Sequence, residues 1–268
     1  YQWDGGWQAG LAYQFDYKDM NIYNEGKLTL DLTFTHQLVR MGAAKDWNNI
    51  QVSLGIDFDY YHYHDLLSLD PLASALFENS SLFSYFAGGA PLQKAVVGGI
   101  YHLYTDNLFQ YKDNNPISVF DARWQGCFSP SSKLTVTPSF YGRVLSGSDN
   151  YPFAIINMVG GTIPGRYMPQ QIPFTGINRA ELSQAALLVA GLNLRQRILK
   201  NQYISVMGSY GRNSGKFHQI LDSSESVDMA GVGIGYMYKS FLGPVEIQLN
   251  WSNQTKKVGW YAGFGFVF

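Results

Sequence analysis

Apolar residues alternate with polar or small residues along most of the chain. Between residues 50 and 60, one set of alternate positions is apolar and the other includes the carboxylates of Asp57 and Asp59. The same period of two appears over residues 28–35 and 245–252. This period places alternate side chains on opposite faces of an extended strand, so the pattern predicts an all-β protein.

The alternating runs are long enough to cross a membrane. They extend over about 10 to 13 residues, against about 5 to 6 for an ordinary strand and about 9 to 11 for a tilted membrane-spanning strand. About twelve strands are predicted, at residues 6–17, 27–40, 49–62, 80–89, 94–106, 116–128, 133–147, 182–198, 201–212, 227–240, 244–254 and 258–268. We expect a transmembrane antiparallel up-and-down β-barrel, with its apolar face toward lipid and its polar face toward the lumen.

The predicted connections alternate in length. Those at 129–132, 200 and 241–243 are short, whereas those at 63–79 and 148–181 are long, as is 213–226. Outer-membrane barrels have short periplasmic turns and long outer loops. We therefore expect one barrel domain over residues 1–268, integral to the outer membrane of a Gram-negative bacterium, with the long loop at 148–181 lying outside the cell or folded into the lumen.

Composition removes several classes of protein. The net charge is −1, from 19 basic and 20 acidic residues, so the chain lacks the basic surface that nucleic-acid binding requires. The single cysteine, Cys127, cannot form a disulfide within the chain. No run approaches the roughly 18 apolar residues of a transmembrane helix. Because the chain starts at Tyr1, we expect a processed protein or an excised domain.

The last predicted strand has an aromatic pattern. Its alternate positions are Trp260, Ala262, Phe264, Phe266 and Phe268, and the chain ends on the last of these. This arrangement resembles the closing strand of outer-membrane proteins, in which a terminal Phe implies an insertion signal for the assembly machinery. We predict that Trp260, Phe264, Phe266 and Phe268 form this signal.

The long loop resembles that of a known family. The residues that carry the resemblance are Gly160-Gly161, Gly165-Arg166-Tyr167 and Gln170-Gln171-Ile172-Pro173-Phe174-Thr175-Gly176, together with the tail over 240–246 and 263–268. These are similar to the C-terminal barrel of patatin-like outer-membrane phospholipases, a branch of the superfamily that contains BamA and the two-partner-secretion transporters. As in that superfamily, five predicted strands follow the loop. The superfamily barrel has sixteen strands, against about twelve here.

The resemblance implies a role for Gly165, Arg166 and Tyr167. The superfamily usually has Arg, then Gly, then an aromatic residue, whereas here Gly165 precedes Arg166. By resemblance, Arg166 reaches into the lumen, where a buried guanidinium needs a carboxylate partner. The strand at 201–212 has no acidic residue, so the candidate partners are Glu246, Asp57, Asp59 and Asp121.

No catalytic motif is evident. A patatin lipase needs Gly-x-Ser-x-Gly, whereas the nearest run, 211–215, places Ser214 one position late, in a predicted outer loop. The His-x-Ser spacing of the twelve-stranded outer-membrane phospholipase is also absent. His62 and His64 have a spacing that could hold a metal, but a third ligand is not evident. We predict no enzyme activity, metal or cofactor in this chain, and a lipase domain, if the family has one here, lies upstream.

Two functions remain open. In the first, the barrel is a membrane anchor and a pore for protein translocation or assembly, with a lumen-folded loop and a seam that opens because Gly263 and Gly265 weaken the closing strand. In the second, it is a passive or selective porin-like channel, or a barrel subunit of a larger surface complex. The expected partners are outer-membrane lipid and lipopolysaccharide, the outer-membrane assembly machinery, and other outer-membrane or periplasmic subunits.

Overall fold

The structure is a computed structural model of the chain. It describes residues 2–3, 5–47, 50–68, 82–89, 97–105, 117–147, 151, 155–162, 168 and 170–265. The described part is built almost entirely of β-strands, as the alternation predicts.

Twelve long strands make up the described part of the sheet. They are β1 (Trp7–Asn24), β2 (Lys27–Trp47), β3 (Ile50–Ser68), β4 (Leu82–Gly89), β5 (Val97–Thr105), β6 (Ile117–Gln125), β7 (Leu134–Ser146), β8 (Ala186–Leu199), β9 (Gln202–Ser214), β10 (Ser226–Ser240), β11 (Gly243–Ser252) and β12 (Val258–Phe264). Four two-residue strands accompany them, Gln2–Trp3, Met158–Val159, Gln171–Ile172 and Glu181–Leu182, as does a 3₁₀ helix at Phe217–Leu221.

The long strands form an antiparallel meander. Each of β1 to β11 pairs with the next long strand in the chain, so sequence order is also sheet order. The prediction of an all-β, up-and-down barrel with about twelve visible strands is confirmed. β1, β2 and β3 are longer than predicted, at 18, 21 and 19 residues. The tight turn at Glu25 and Gly26, both with positive φ, joins the first two strands and sets their register.

The two faces of the sheet differ in chemistry. On β11, Ile247 and Leu249 are 53% and 52% exposed, whereas the alternate residues Gln248, Asn250 and Ser252 are 6%, 4% and 0% exposed. The predicted alternation is thus confirmed. The apolar residues face outward and the polar residues face inward, the reverse of the arrangement in a soluble protein. We call the polar side the inner face.

Among the side chains that the structure describes, the packed part of the inner face lies at one end, which we call the long-loop end because the connection between β7 and β8 lies there. Two apolar clusters fill it. One joins Met20 and Ile22 of β1 and Leu32 and Phe34 of β2 to loop residue Met158. The other joins Phe174 and Ile177 of the loop to side chains of β7, β8 and β10. The core of this protein therefore lies inside the curved sheet.

The sheet curls until its first and last hairpins approach each other. The turn between β1 and β2 contains Gly26, and the turn between β11 and β12 contains Thr255. A Cβ atom on Gly26 would lie 3.4 Å from the Cβ of Thr255. The boundary between β1 and β12, which we call the seam, is therefore narrow at the long-loop end.

Candidate functional site

The candidate site is the loop between β7 and β8, together with the inner face that it covers. Its described residues fold into a small structure of their own, in which Met158–Val159 pairs antiparallel with Glu181–Leu182 and parallel with Gln171–Ile172. Ile155, Met158, Met168, Ile172 and Phe174 are fully buried. The predicted loop is thus a packed segment, because its apolar side chains find partners inside the barrel.

Polar contacts hold the two stems of the loop. Asn157 is completely buried, and its amide nitrogen donates to the backbone oxygens of Arg143, Gln184 and Ala185 at 3.3, 2.8 and 3.0 Å. Arg143 in turn donates to the backbone oxygen of Ile155 at 2.7 Å and to the side-chain oxygen of Asn157. Because a buried amide left without partners is costly, this cluster determines where the loop leaves and rejoins the sheet.

Asp121 on β6 completes this cluster. Its carboxylate accepts two hydrogen bonds from Arg123, each of 2.9 Å, and lies 3.5 Å from Nε of Arg143. Asp121 and Arg143 are both buried. Two guanidinium groups therefore already neutralise this carboxylate, which makes Asp121 a poor candidate as the partner of Arg166.

The far part of the loop lies directly on β9, β10 and β11. The backbone N–H of Thr175 donates to Oγ of Ser209 at 3.1 Å, and that hydroxyl donates to Oγ1 of Thr175 at 2.9 Å. A Cβ atom on Gly231 would overlap the carbonyl oxygen of Thr175. Gly176 has φ of +89°, a conformation that favours glycine, and its carbonyl accepts from Ser252 at 3.1 Å. Glycine and small hydroxyl residues on the inner face thus permit close backbone approach.

Beyond Gly176 the loop crosses the seam. Asn178 accepts a hydrogen bond of 2.6 Å from Asn250 on β11, and the backbone oxygen of Ala180 accepts one of 3.0 Å from the N–H of Tyr23 on β1. The Glu181 side chain accepts a 3.0 Å hydrogen bond from the N–H of Gly26. Burial raises the pKa of the Glu181 carboxyl, although backbone hydrogen bonds from Gly26 and Glu25 act in the opposite direction.

A cavity of about 280 Å³ lies on the inner face beside the loop. Strand residues line it together with the loop residues Gly161, Thr162 and Pro173 to Thr175. Its polar lining includes Arg195, Glu246, Gln248 and Tyr261. Glu246 is the only acidic residue of its described lining. For a guanidinium group inside this cavity, the carboxylate of Glu246 is therefore the available partner.

The predicted site residues have different outcomes. Gly165, Arg166 and Tyr167 lie outside the described residues, as do Phe266 and Phe268. Asp57 and Asp59 lie in β3, and their side chains are also outside the described part. Trp260 and Phe264 are 71% and 68% exposed on the outer face of β12, as a lipid-facing closing strand requires. The insertion signal and the Arg166 partnership stay predictions.

Sequence reasoning missed the polar residues that hold the loop. Asn157 stands within the apolar run Ile155-Ile156-Asn157-Met158-Val159. A single amide in such a run is a signal for a buried residue that satisfies backbone groups. Asn178 and Glu181 had no comparable local signal, because their partners come from the two ends of the sheet.

The described residues contain no arrangement that suggests catalysis. Ser214 is the buried last residue of β9, not a loop residue as predicted, and its hydroxyl donates to the backbone oxygen of Lys216 at 2.8 Å. Within the described ranges, no three His, Cys, Asp or Glu side chains gather as metal ligands would. No helix in this part of the chain is long and apolar enough to span a membrane.

Comparison with known proteins agrees with this architecture. A family model described as the OMP85 superfamily matches residues 48–268. Among solved structures, the chain is similar to BamA from Haemophilus ducreyi, crystallised without POTRA domains 1–3, with a TM-score of 0.59 and 12% identity. The match covers 95% of this chain but 58% of that one, and it shows a shared fold. No curated protein matches. Since the family model covers more than half of its length, the chain belongs to the OMP85 superfamily.

Proposed function

We propose that this chain is the outer-membrane barrel of a protein assembly or translocation device, in which the loop between β7 and β8 is a movable internal element. The observation that carries the proposal is the attachment of the loop to both ends of the sheet. It contacts Ser209 and Asn250 in the last strands and Tyr23 in the first. A loop that contacts both sides of the seam is suited to couple lumen occupancy to movement of the strands.

The nature of the packing supports this proposal over a steady aqueous channel. The side chains of Phe174, Ile177 and Met158 are buried inside the long-loop end. Apolar residues exclude water from the space that a porin would keep open. The cavity near Glu246, beside the loop, leaves room for a substrate or the Arg166 side chain.

The test is a reversible disulfide between loop and sheet. Oγ1 of Thr175 and Oγ of Ser209 lie 2.9 Å apart, so cysteines at these positions are close enough to be bridged with small adjustment. The full native protein, with Cys127→Ser, would be reconstituted in liposomes with an unfolded outer-membrane barrel protein as client. We expect the oxidised Thr175→Cys/Ser209→Cys variant to slow client folding severalfold, and reduction to restore it.

The controls separate the two functions. Each single cysteine variant should fold the client at the rate of the Cys127→Ser parent under oxidising conditions. If the client folds no faster than in empty liposomes and the protein shows steady ionic conductance, the proposal is wrong and the porin-like channel is the function. For that channel, deletion of residues 155–175 should raise the conductance.

We also propose to which branch of the superfamily the chain belongs and which partners it has. The run at 160–176 and the tail at 240–268 resemble patatin-fused members, so an upstream lipase domain would accompany the barrel. The partners would be outer-membrane lipid, lipopolysaccharide, the assembly machinery and further outer-membrane or periplasmic subunits. The intact mass of the native polypeptide tests the fusion: a mass near 30.1 kDa contradicts it, and a mass at least about twice as large, with lipase activity, supports it.

A further inference from the structure

Three short turns at the end opposite the long loop share one composition, and we call this end the short-turn end. They connect β6 to β7, β8 to β9 and β10 to β11. Each combines a lysine with large apolar residues, and all of these side chains are exposed: Phe128 with Lys133, Leu199 with Lys200, and Lys239 with Phe241 and Leu242. Phe241 is the extreme case, at 95%. We call this set of residues the turn surface.

The three turns lie side by side. The N–H of Arg197 donates to the backbone oxygen of Lys133 at 2.7 Å, which joins the first turn to the second. The N–H of Lys239 donates to the backbone oxygen of Asn201 at 2.8 Å, which joins the second turn to the third. Since neighbouring strands are about 4.8 Å apart, the turns of successive hairpins lie about 10 Å apart. The turn surface is therefore a continuous band along the rim of the sheet.

The exposed apolar side chains do not build the turns that carry them. In the turn between β10 and β11, Oγ of Ser240 donates to the backbone oxygen of Gly243 at 2.6 Å and accepts from the N–H of Leu242 at 3.2 Å. Gly243 has φ of +125°, a conformation that favours glycine. Serine and glycine thus determine this turn, while Phe241 and Leu242 project from it. Because exposed apolar surface is unfavourable in water, these side chains are suited to an environment other than water.

The turn surface continues the apolar outer face of the sheet. Ile198 at the end of β8 and Tyr238 near the end of β10 are both exposed and lead directly into the turns. A Cβ atom on Gly126 would lie 2.7 Å from the ring of Phe128 and 3.2 Å from that of Trp124, so these two rings lie beside each other. Trp and Tyr are enriched where a membrane-spanning barrel meets the lipid headgroups. The turn surface therefore begins where the hydrocarbon region of the membrane ends.

Charge distinguishes among the possible occupants of this surface. Residues 126–133, 199–202 and 239–243 contain three lysines and no acidic residue. At the opposite end, the connection between β9 and β10 combines Lys216 with Asp222 and Glu225. Lysines next to a membrane surface are attracted to anionic lipids. A phosphate group beside each lysine, with acyl chains against the neighbouring apolar residue, matches both properties of the turn surface.

We propose that the turn surface binds anionic phospholipids, with Lys133, Lys200 and Lys239 at the phosphate groups and the apolar residues in the adjoining acyl region. In the predicted orientation of the barrel, these lipids belong to the leaflet that faces the periplasm. Contacts at several turns of one rim would fix the depth of the barrel in the bilayer. The inference does not rest on the proposed assembly function, because a channel with the same turns would bind the same lipids.

The test measures which lipid lies beside each end of the barrel. The full native protein with Cys127→Ser carries a bimane fluorophore at Leu242→Cys. It is reconstituted into vesicles of phosphatidylcholine and phosphatidylglycerol, in which one of the two lipids carries a quenching nitroxide near its headgroup. Both leaflets have the same composition, so either orientation of the protein gives the same result.

The expected result is a preference for phosphatidylglycerol at the short-turn end. One lysine beside a lipid phosphate favours binding about fivefold. Half-maximal quenching of the Leu242→Cys label should therefore need about fivefold less nitroxide-labelled phosphatidylglycerol than phosphatidylcholine. A label at the exposed Leu221→Cys position, at the long-loop end, should be quenched equally by the two lipids.

Lysine variants test the cause of the preference. Substitution of the three lysines of the turn surface should abolish it: Lys133→Gln/Lys200→Gln/Lys239→Gln. Arginine at the same three positions keeps the charge and should retain the preference. The matched control removes three exposed lysines from the long-loop end and should leave the preference unchanged: Lys216→Gln/Lys256→Gln/Lys257→Gln. Heat-dependent gel mobility establishes that each variant is folded.

Three results would overturn the proposal. They are equal quenching of the Leu242→Cys label by the two lipids, an equally strong preference at Leu221→Cys, and a preference that survives the lysine-to-glutamine substitutions at the turn surface. A Leu242→Cys label that neither lipid quenches would also contradict it, because the turn surface would then face water or another protein.

Discussion

Gly231→Ala is the sharpest test of the loop's position on the inner face. A Cβ atom there would overlap the carbonyl oxygen of Thr175, and would lie 2.8 Å from its carbonyl carbon and 3.0 Å from Cε1 of Phe174. Since carbon atoms in contact need about 3.5 Å, the segment at 174–176 must move by roughly 1 Å. The sheet itself cannot yield, because Gly231 pairs with Ser209 on β9 and Ser252 on β11.

The cost follows from the contacts that such a movement breaks. The segment is held by two hydrogen bonds between Thr175 and Ser209 and by one from Ser252 to Gly176. At about 1 kcal/mol each, their loss would cost about 3 kcal/mol, and partial relaxation gives a range of about 2 to 4 kcal/mol. We expect a clear fall in the unfolding temperature and faster protease cleavage within the loop.

The assay is heat-dependent gel mobility of the barrel in detergent, combined with limited proteolysis. Gly208→Ala is the matched control, because its Cβ would lie 3.9 Å from its nearest neighbour, the backbone oxygen of Gly231. Both substitutions lower the entropy of the unfolded chain equally. The difference between their unfolding temperatures therefore measures the effect of the overlap with Thr175. Equal unfolding temperatures and equal protease resistance would refute the placement of the loop on β10.

Three other predictions concern the stems of the loop, the carboxyl group of Glu181 and the orientation of the barrel in the membrane. Asn157→Ala removes the buried amide that donates to the carbonyl groups of Arg143, Gln184 and Ala185 and should lower stability by about 2 to 3 kcal/mol. The exposed control, Asn201→Ala, should change stability little in the same melting assay. Burial, reinforced by the charge of Glu25, raises the pKa of Glu181. The folded state thus binds the proton of the Glu181 carboxyl more tightly than the unfolded state does. The unfolding temperature should therefore rise as the pH falls through the raised pKa and level off below the unfolded pKa of about 4.3. Glu181→Gln should remove this contribution, and a pH profile that the substitution leaves unchanged would contradict the prediction. Cys127 is exposed in the turn between β6 and β7, so a membrane-impermeant maleimide should label it only after the outer membrane is permeabilised, and labelling of intact cells would reverse the orientation.

Local pattern was sufficient for the strands but not for the loop. The period of two over residues 245–252 predicted both the strand and the face of each side chain, because alternation in a strand depends only on neighbouring residues. The Gly and Pro content of the loop predicted a folded path, yet its small sheet depends on pairing between Val159 and Glu181, which are distant in the chain. Likewise, Asp121 was identified as a lumenal acid, but only the fold shows that Arg123 and Arg143 share it.

The sequence by itself determined the class of fold, the number of long visible strands and the outward direction of the apolar residues, because all of these follow from short-range periodicity and length. It did not determine the far ends of β1, β2 and β3, which extend beyond the predicted strands. Tertiary structure alone decided which end of the barrel is filled and what crosses the seam. The hydrogen bond from Gly26 to Glu181 joins residues 155 positions apart. No local pattern specifies such a contact, since it exists only after twelve strands have curled far enough to bring the first and last hairpins to the same loop.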